Sequence, residues 1–148
     1  MTPNQSAEMF GPVIRSFLLT VFKNMQKTIL IGVAGLIGTL LRHWLSGYVA
    51  RQHGGTFPWG TMAVNLIGCL ATGAVFYATE ERFVLSPTVR TVILIGLLGG
   101  FTTFSSYGLQ TLTLLRDGEV GLATLNVVAS NVLGVFMVWV GYAIARVF

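Results

Sequence analysis

Long apolar runs separated by short polar connections make up most of this chain. A membrane helix needs about 20 mostly apolar residues. Four windows meet that length: 28–49, 59–79, 91–115 and 121–145. The first carries Arg42 and His43 near its end; the other three contain no Asp, Glu, Lys, Arg or His. The connections 50–58, 80–90 and 116–120 are too short to hold an extramembrane domain. Neighbouring spans must then run antiparallel. The pattern predicts an all-α integral membrane protein with four transmembrane helices.

Composition agrees. Of 148 residues, 53% are hydrophobic and 9% charged, against about 25% charged in an ordinary soluble domain. Mean hydropathy is +0.75. A disordered chain is polar and highly charged, so disorder is excluded. The net charge of +4 comes from scattered single Lys and Arg, which is no footprint for nucleic acid. Cys69 is alone and has no partner for an internal disulfide.

The segment 1–27 differs from the rest. Polar residues at 4–8 precede an apolar stretch at 9–22 that is broken by Gly11, Pro12 and Arg15. A signal peptide needs a basic start and a small-residue cleavage site, and neither is present. The segment reads either as a short interfacial helix or as an artefact ahead of a start at Met25. The four-helix transmembrane part is then 28–148.

Topology follows the basic residues flanking the spans. Four spans put both termini on one side, together with Arg15, Lys23, Lys27, Arg82, Arg90 and Arg146. Arg51 and Arg116 lie on the other side, and Arg42 is placed to snorkel toward it. Counted from Met25 the bias becomes weak. A weak bias permits insertion in either orientation.

No enzymatic constellation is visible. All five acidic residues (Glu8, Glu80, Glu81, Asp117, Glu119) lie in tails or loops. His43 and His53 have no companions at metal-ligand spacing. The chemistry lies in uncharged polar groups. Thr61, Asn65 and Thr72 fall within about 40° of one helix face, and Gly68 shares it. Asn126 and Ser130 are i, i+4 neighbours in the fourth span, while Asn131 points elsewhere. Interhelical hydrogen bonding alone accounts for such a stripe; so does a narrow polar path.

The third span is the most distinctive: Gly99-Gly100-Phe101-Thr102-Thr103-Phe104-Ser105-Ser106-Tyr107. Glycine disfavours helix by about 1 kcal/mol against Ala, and Ser/Thr side chains offer the backbone other partners. The run predicts a helix broken near mid-membrane. Such a break survives only when it is buried in protein or lines a cavity, and its freed carbonyls suit a hard cation. Gly96 and Gly100 also form a GxxxG, so close helix packing is the competing reading.

These residues resemble the Fluc (CrcB) fluoride channels. The similarity runs from about Gly32 to Gly141. It includes Gly32, Gly35, Gly38 and Arg42 in the first span, and Phe57-Pro58-Trp59-Gly60-Thr61 opening the second. Val64-Asn65-Leu66-Ile67-Gly68 and the Gly99–Ser105 run complete it. The resemblance implies an antiparallel, dual-topology dimer with fluoride pathways along its interface. It implies a central Na⁺ held by the backbone carbonyls of Gly99 and Thr102. It places Asn65, Phe104, Tyr107, Ser106 and Ser130 along the fluoride path and Arg42 at a vestibule. It leaves open whether the partner is a second copy or a homologous subunit. Three positions depart from the usual pattern: Tyr107 stands for Phe, Gln110 for an acid, and Asn126 for a tyrosine.

The physics suits a small, strongly hydrated anion. A dry pore must replace its water with donors. The Asn65 amide and the hydroxyls of Thr103, Ser106 and Ser130 supply them, and aromatic edges carry partial positive charge. The expected function is passive, fluoride-selective export through the cell inner membrane, conferring fluoride resistance, with no enzymatic step. Two other readings were weighed. A small multidrug-resistance-type antiporter needs a membrane-embedded acid in its first span, and 28–41 has none. A non-transporting membrane assembly subunit explains the small-residue packing but not the convergence of polar groups.

Overall fold

The computed structural model describes residues 3–82 and 84–147, with side chains from Arg15 onward. Helix α1 runs from Pro3–His53 and α2 from Trp59–Glu80. The third span comprises α3 (Pro87–Thr91), a π-helical stretch (Val92–Leu98), α4 (Gly99–Phe101) and α5 (Phe104–Arg116). Helix α6 covers Val120–Val147.

Four helical segments are long and apolar enough to cross a membrane: Arg15–His53, Trp59–Glu80, Pro87–Arg116 and Val120–Val147. Each contains one predicted window, nearly to the residue for the second and fourth. The third begins earlier because Pro87 occupies the first turn, where its missing N–H is harmless. Ser86 caps that turn, its Oγ accepting from Val89 N at 3.3 Å. The first departs most. Segment 3–27 and the first span form one unbroken helix of 51 residues, about 77 Å long. No Gly or Pro lies between Val13 and Ile31 to end it.

Lipid removes the hydrophobic drive for helix pairing, so close van der Waals contact must hold the bundle. Glycines provide it. Helix α2 lies mainly against α6; there a Cβ on Gly73 would overlap the Val138 carbonyl, and one on Gly141 the Leu70 carbonyl. Helix α1 lies against the π-helical stretch and α4. There Gly38 abuts the Leu97 carbonyl and Gly100 the Gly35 carbonyl. Few described apolar side chains are buried: Met62, Val64, Leu98, Phe101, Leu114 and Ala123. Large apolar side chains such as Ile95, Leu109, Val135 and Trp139 face outward, as a hydrocarbon solvent requires.

Candidate functional site

Helix α4 ends at Phe101 and α5 starts at Phe104. Between them Thr102 (φ −84°, ψ 161°) and Thr103 (φ −152°, ψ 117°) are extended. An extended residue inside a helical span removes N–H and C=O groups from the ladder. Each such group left unsatisfied in lipid costs several kcal/mol.

Asn65 resolves this at Thr103. Its Nδ2 donates to the Thr103 carbonyl at 3.0 Å, and its Oδ1 accepts from the Thr103 N–H at 2.8 Å. One amide side chain thus replaces both missing helical partners. The Thr103 hydroxyl caps α5, accepting from Ser106 N at 3.2 Å while donating to Ser106 Oγ at 3.0 Å. That donation leaves the Ser106 hydroxyl hydrogen for a further acceptor.

The same diversions release two carbonyls. In a continuous helix the N–H of Thr103 would close on Gly99 and that of Ser106 on Thr102. Here the first goes to Asn65 and the second to the Thr103 hydroxyl. Uncharged carbonyl oxygens are suitable ligands for a hard cation, so the donor set of Gly99 and Thr102 fits one. The Thr102 carbonyl also accepts from Arg42 Nη1 at 3.3 Å, using one of its two lone pairs. Among the described residues no group of three His, Cys, Asp or Glu side chains is placed to hold a metal ion.

Cavities flank the interruption. One of about 340 Å³ is lined by Arg42, His43, Thr61, Thr103, Ser106 and Gln110 among others. Another of about 300 Å³, mostly apolar, is lined by Asn65, Cys69, Thr72, Thr102, Thr103, Phe104 and Val138. Thr103 borders both. Ser46, Thr61 and Gln110 connect the first to a third space of about 220 Å³ beneath the α1–α2 loop. Gln110 Oε1 is buried there without a hydrogen-bond partner among the described residues.

Phe104 projects outward, 80% exposed, with its ring 5.3 Å from that of Tyr107. A second polar chain joins α5 to α6. Asn126, buried, donates to Thr111 Oγ1 at 2.9 Å. Ser130 Oγ donates to Asn126 Oδ1 at 3.4 Å. Asn131 Nδ2 donates to the Tyr107 hydroxyl at 3.3 Å.

Residues 29–142 match the family described as CrcB-like protein, Camphor Resistance (CrcB). The chain belongs to the CrcB family. It is 47% identical to a protein of Opitutus terrae named fluoride-specific ion channel FluC, over 82% of this chain and 93% of that one. Proteins of the same name from Geotalea daltonii and Methylocella silvestris are 42% and 45% identical. Those matches cover 82% and 79% of this chain, and 98% and 89% of theirs. This CrcB chain is a multi-pass membrane protein.

The candidate residues of this CrcB chain divide into groups. Asn65, Thr102, Thr103 and Ser106 converge on the interruption, and Arg42 reaches it from α1. Phe104 and Tyr107 stand side by side on the next turn. Ser130 is apart from them, bonded to Asn126 on its own helix. Thr111 and Asn131 belong to the polar network, and Gln110 lines two of the cavities, although their spacing did not mark them. Asn131 points away from the Asn126–Ser130 pair, as its spacing implied, and reaches the Tyr107 hydroxyl across the α5–α6 interface. The only signal for it was the presence of an amide in a span with few polar residues.

Proposed function

We propose that this chain is a fluoride-selective, passive ion channel of the cell inner membrane that exports cytoplasmic F⁻ and confers fluoride resistance. Its family and the names of its relatives support this reading. The observation that carries it is the two-point hydrogen bond between Asn65 and Thr103, with a polar cavity on one side and a mostly apolar one on the other. Nδ2 of Asn65 has a second hydrogen, and the Ser106 hydroxyl has its own. Both donate to an anion crossing from one cavity to the other. Phe104 and Tyr107 present ring edges to it. Donors without full charge bind weakly enough for release, which conduction requires. Arg42 draws anions toward the vestibule, and Ser130 extends the polar track along α6.

The functional unit in this reading is an antiparallel dimer, with a second copy or with a homologous subunit. The interruption at Thr102 and Thr103 lies near mid-membrane. The carbonyls of Gly99 and Thr102 hold Na⁺ at the dimer centre, where the cation supplies positive potential and joins the subunits. Dissociation of hydrogen fluoride inside the cell makes F⁻, and the negative interior drives the anion outward. No covalent chemistry is required.

The test is fluoride release from proteoliposomes, followed by a fluoride electrode, with valinomycin carrying K⁺ as counter-ion and chloride-loaded vesicles as control. Fast release of fluoride and none of chloride is expected. Equal release of both anions, or none from a folded dimer co-expressed with its homologous subunit, overturns the reading.

A further inference from the structure

The amino-terminal part of α1 has no role in the site. Gly60 at the start of α2 packs on the Ser46 backbone of α1. Glu80, the last residue of α2, is twenty positions farther on, about 30 Å along the helix. An antiparallel α1 reaches the same level near Gln26. Everything before it extends past the end of α2, on the side of Glu80, Arg82 and Arg90. Each described side chain from Arg15 to Gln26 is exposed, so nothing among the described residues covers this segment.

The segment is two-faced. At 3.6 residues per turn, Phe17, Leu18, Val21, Phe22 and Met25 fall within about 140° of arc. Arg15, Lys23 and Lys27 fall within about 120° on the opposite side; Leu19 is the one apolar exception there. No acidic residue occurs between Glu8 and Glu80. At the near end of α2, Glu80 is paired with Arg90. An apolar face backed by uncompensated basic residues is the pattern of a helix that binds at a charged lipid interface. The span beginning near Thr28 keeps it there. We propose that at an anionic bilayer surface the continuous α1 bends near Lys27, so that residues 15–27 form an amphipathic arm lying on the lipid, its apolar face in the headgroup boundary and its basic residues against lipid phosphates. This goes beyond the channel reading and does not depend on it. In an antiparallel dimer the two arms would lie on opposite leaflets.

The test uses the full-length chain with Cys69→Ser and, separately, Phe22→Cys or Leu18→Cys carrying an environment-sensitive fluorophore. Each is reconstituted into phosphatidylcholine vesicles and into vesicles of equal phosphatidylcholine and phosphatidylglycerol. The expected result has two parts. In the anionic vesicles, emission shifts to shorter wavelength and is quenched by nitroxide-bearing lipid. The shift is lost with Lys23→Gln/Lys27→Gln, and at about 1 M salt, where the Debye length falls to about 3 Å. Water-like emission in both compositions overturns the proposal and makes the segment a solvated projection. An equal shift in both makes it a plain continuation of the span, and a shift without lipid quenching makes it a protein contact; either overturns it. Because emission is read without fluoride flux, failure of the arm and failure of the channel reading are distinguishable.

Discussion

Asn65 on the second span and Thr103 on the third exchange two hydrogen bonds, at 3.0 and 2.8 Å, so that one side chain satisfies the peptide of an extended residue. In this geometry the Asn65 carbonyl and one of its two N–H groups are committed. Asn65→Asp keeps the acceptor, loses the donor and adds a negative charge. An unpaired buried carbonyl costs about 1–3 kcal/mol, so fluoride flux should fall by roughly 10- to 100-fold. Electrode-detected efflux, with size-exclusion to confirm folding, checks this; undiminished flux would remove Asn65 from the path.

Gly68 lies one turn from Asn65 and faces Thr102. A Cβ there would overlap the Thr102 Cγ2 methyl, while its other neighbours stay at ordinary contact distance. Gly68→Ala should therefore lower stability in detergent and flux in liposomes. Adding Thr102→Ser removes the offending methyl and should restore both. Failure of the double variant to recover would mean that the glycine serves some purpose other than clearance.

The aromatic pair separates ring from hydroxyl. Tyr107→Phe keeps the ring beside Phe104 and loses the bond from Asn131. Such bonds average about 0.6 kcal/mol in membranes, so flux should stay within about threefold of the parent. Phe104→Ile removes the edge offered to the anion and should abolish most flux. Equal effects of the two changes in the same assay would argue against an aromatic role in permeation.

Sodium is testable by exclusion. Folding and reconstitution in N-methyl-D-glucamine, which is too large for a pair of carbonyls, should reduce the fraction of dimer seen by cross-linking, and readdition of Na⁺ should restore it. Identical dimer fractions in both salts would count against a cation at Gly99 and Thr102.

Orientation has its own readout. A cysteine at Gly118, in the short α5–α6 turn, should react with an impermeant maleimide from both faces of sealed vesicles if copies insert both ways. Labelling from one face only would leave pairing with an oppositely oriented homologous subunit as the remaining form of the antiparallel dimer.

The four spans were legible from hydropathy alone, because lipid tests each residue for polarity whatever its neighbours. The same test made the hydroxyl run at Thr102–Ser106 conspicuous and marked Asn65 as an amide needing a partner. Partner identity was not legible. Asn65 was expected to offer its donors to an ion, and in the fold one of its N–H groups and its carbonyl belong to Thr103. Arg42 was expected at a vestibule; in the fold it lines a cavity beside the interruption and touches the Thr102 carbonyl. Helical phase separates Asn131 from Asn126 and Ser130 but does not name its partner, Tyr107. Each of these pairs joins residues on different helices. Their meeting depends on where the helices cross, which is decided by glycine contacts such as Gly38 on Leu97 and Gly73 on Val138. Spacing within one helix fixes which residues share a face, but only the packed bundle brings two faces to the same depth. The length of α1 follows the same division. The absence of Gly and Pro from 13–31 permitted a continuous helix, and the short reach of α2 decided how much of it stands clear of the bundle.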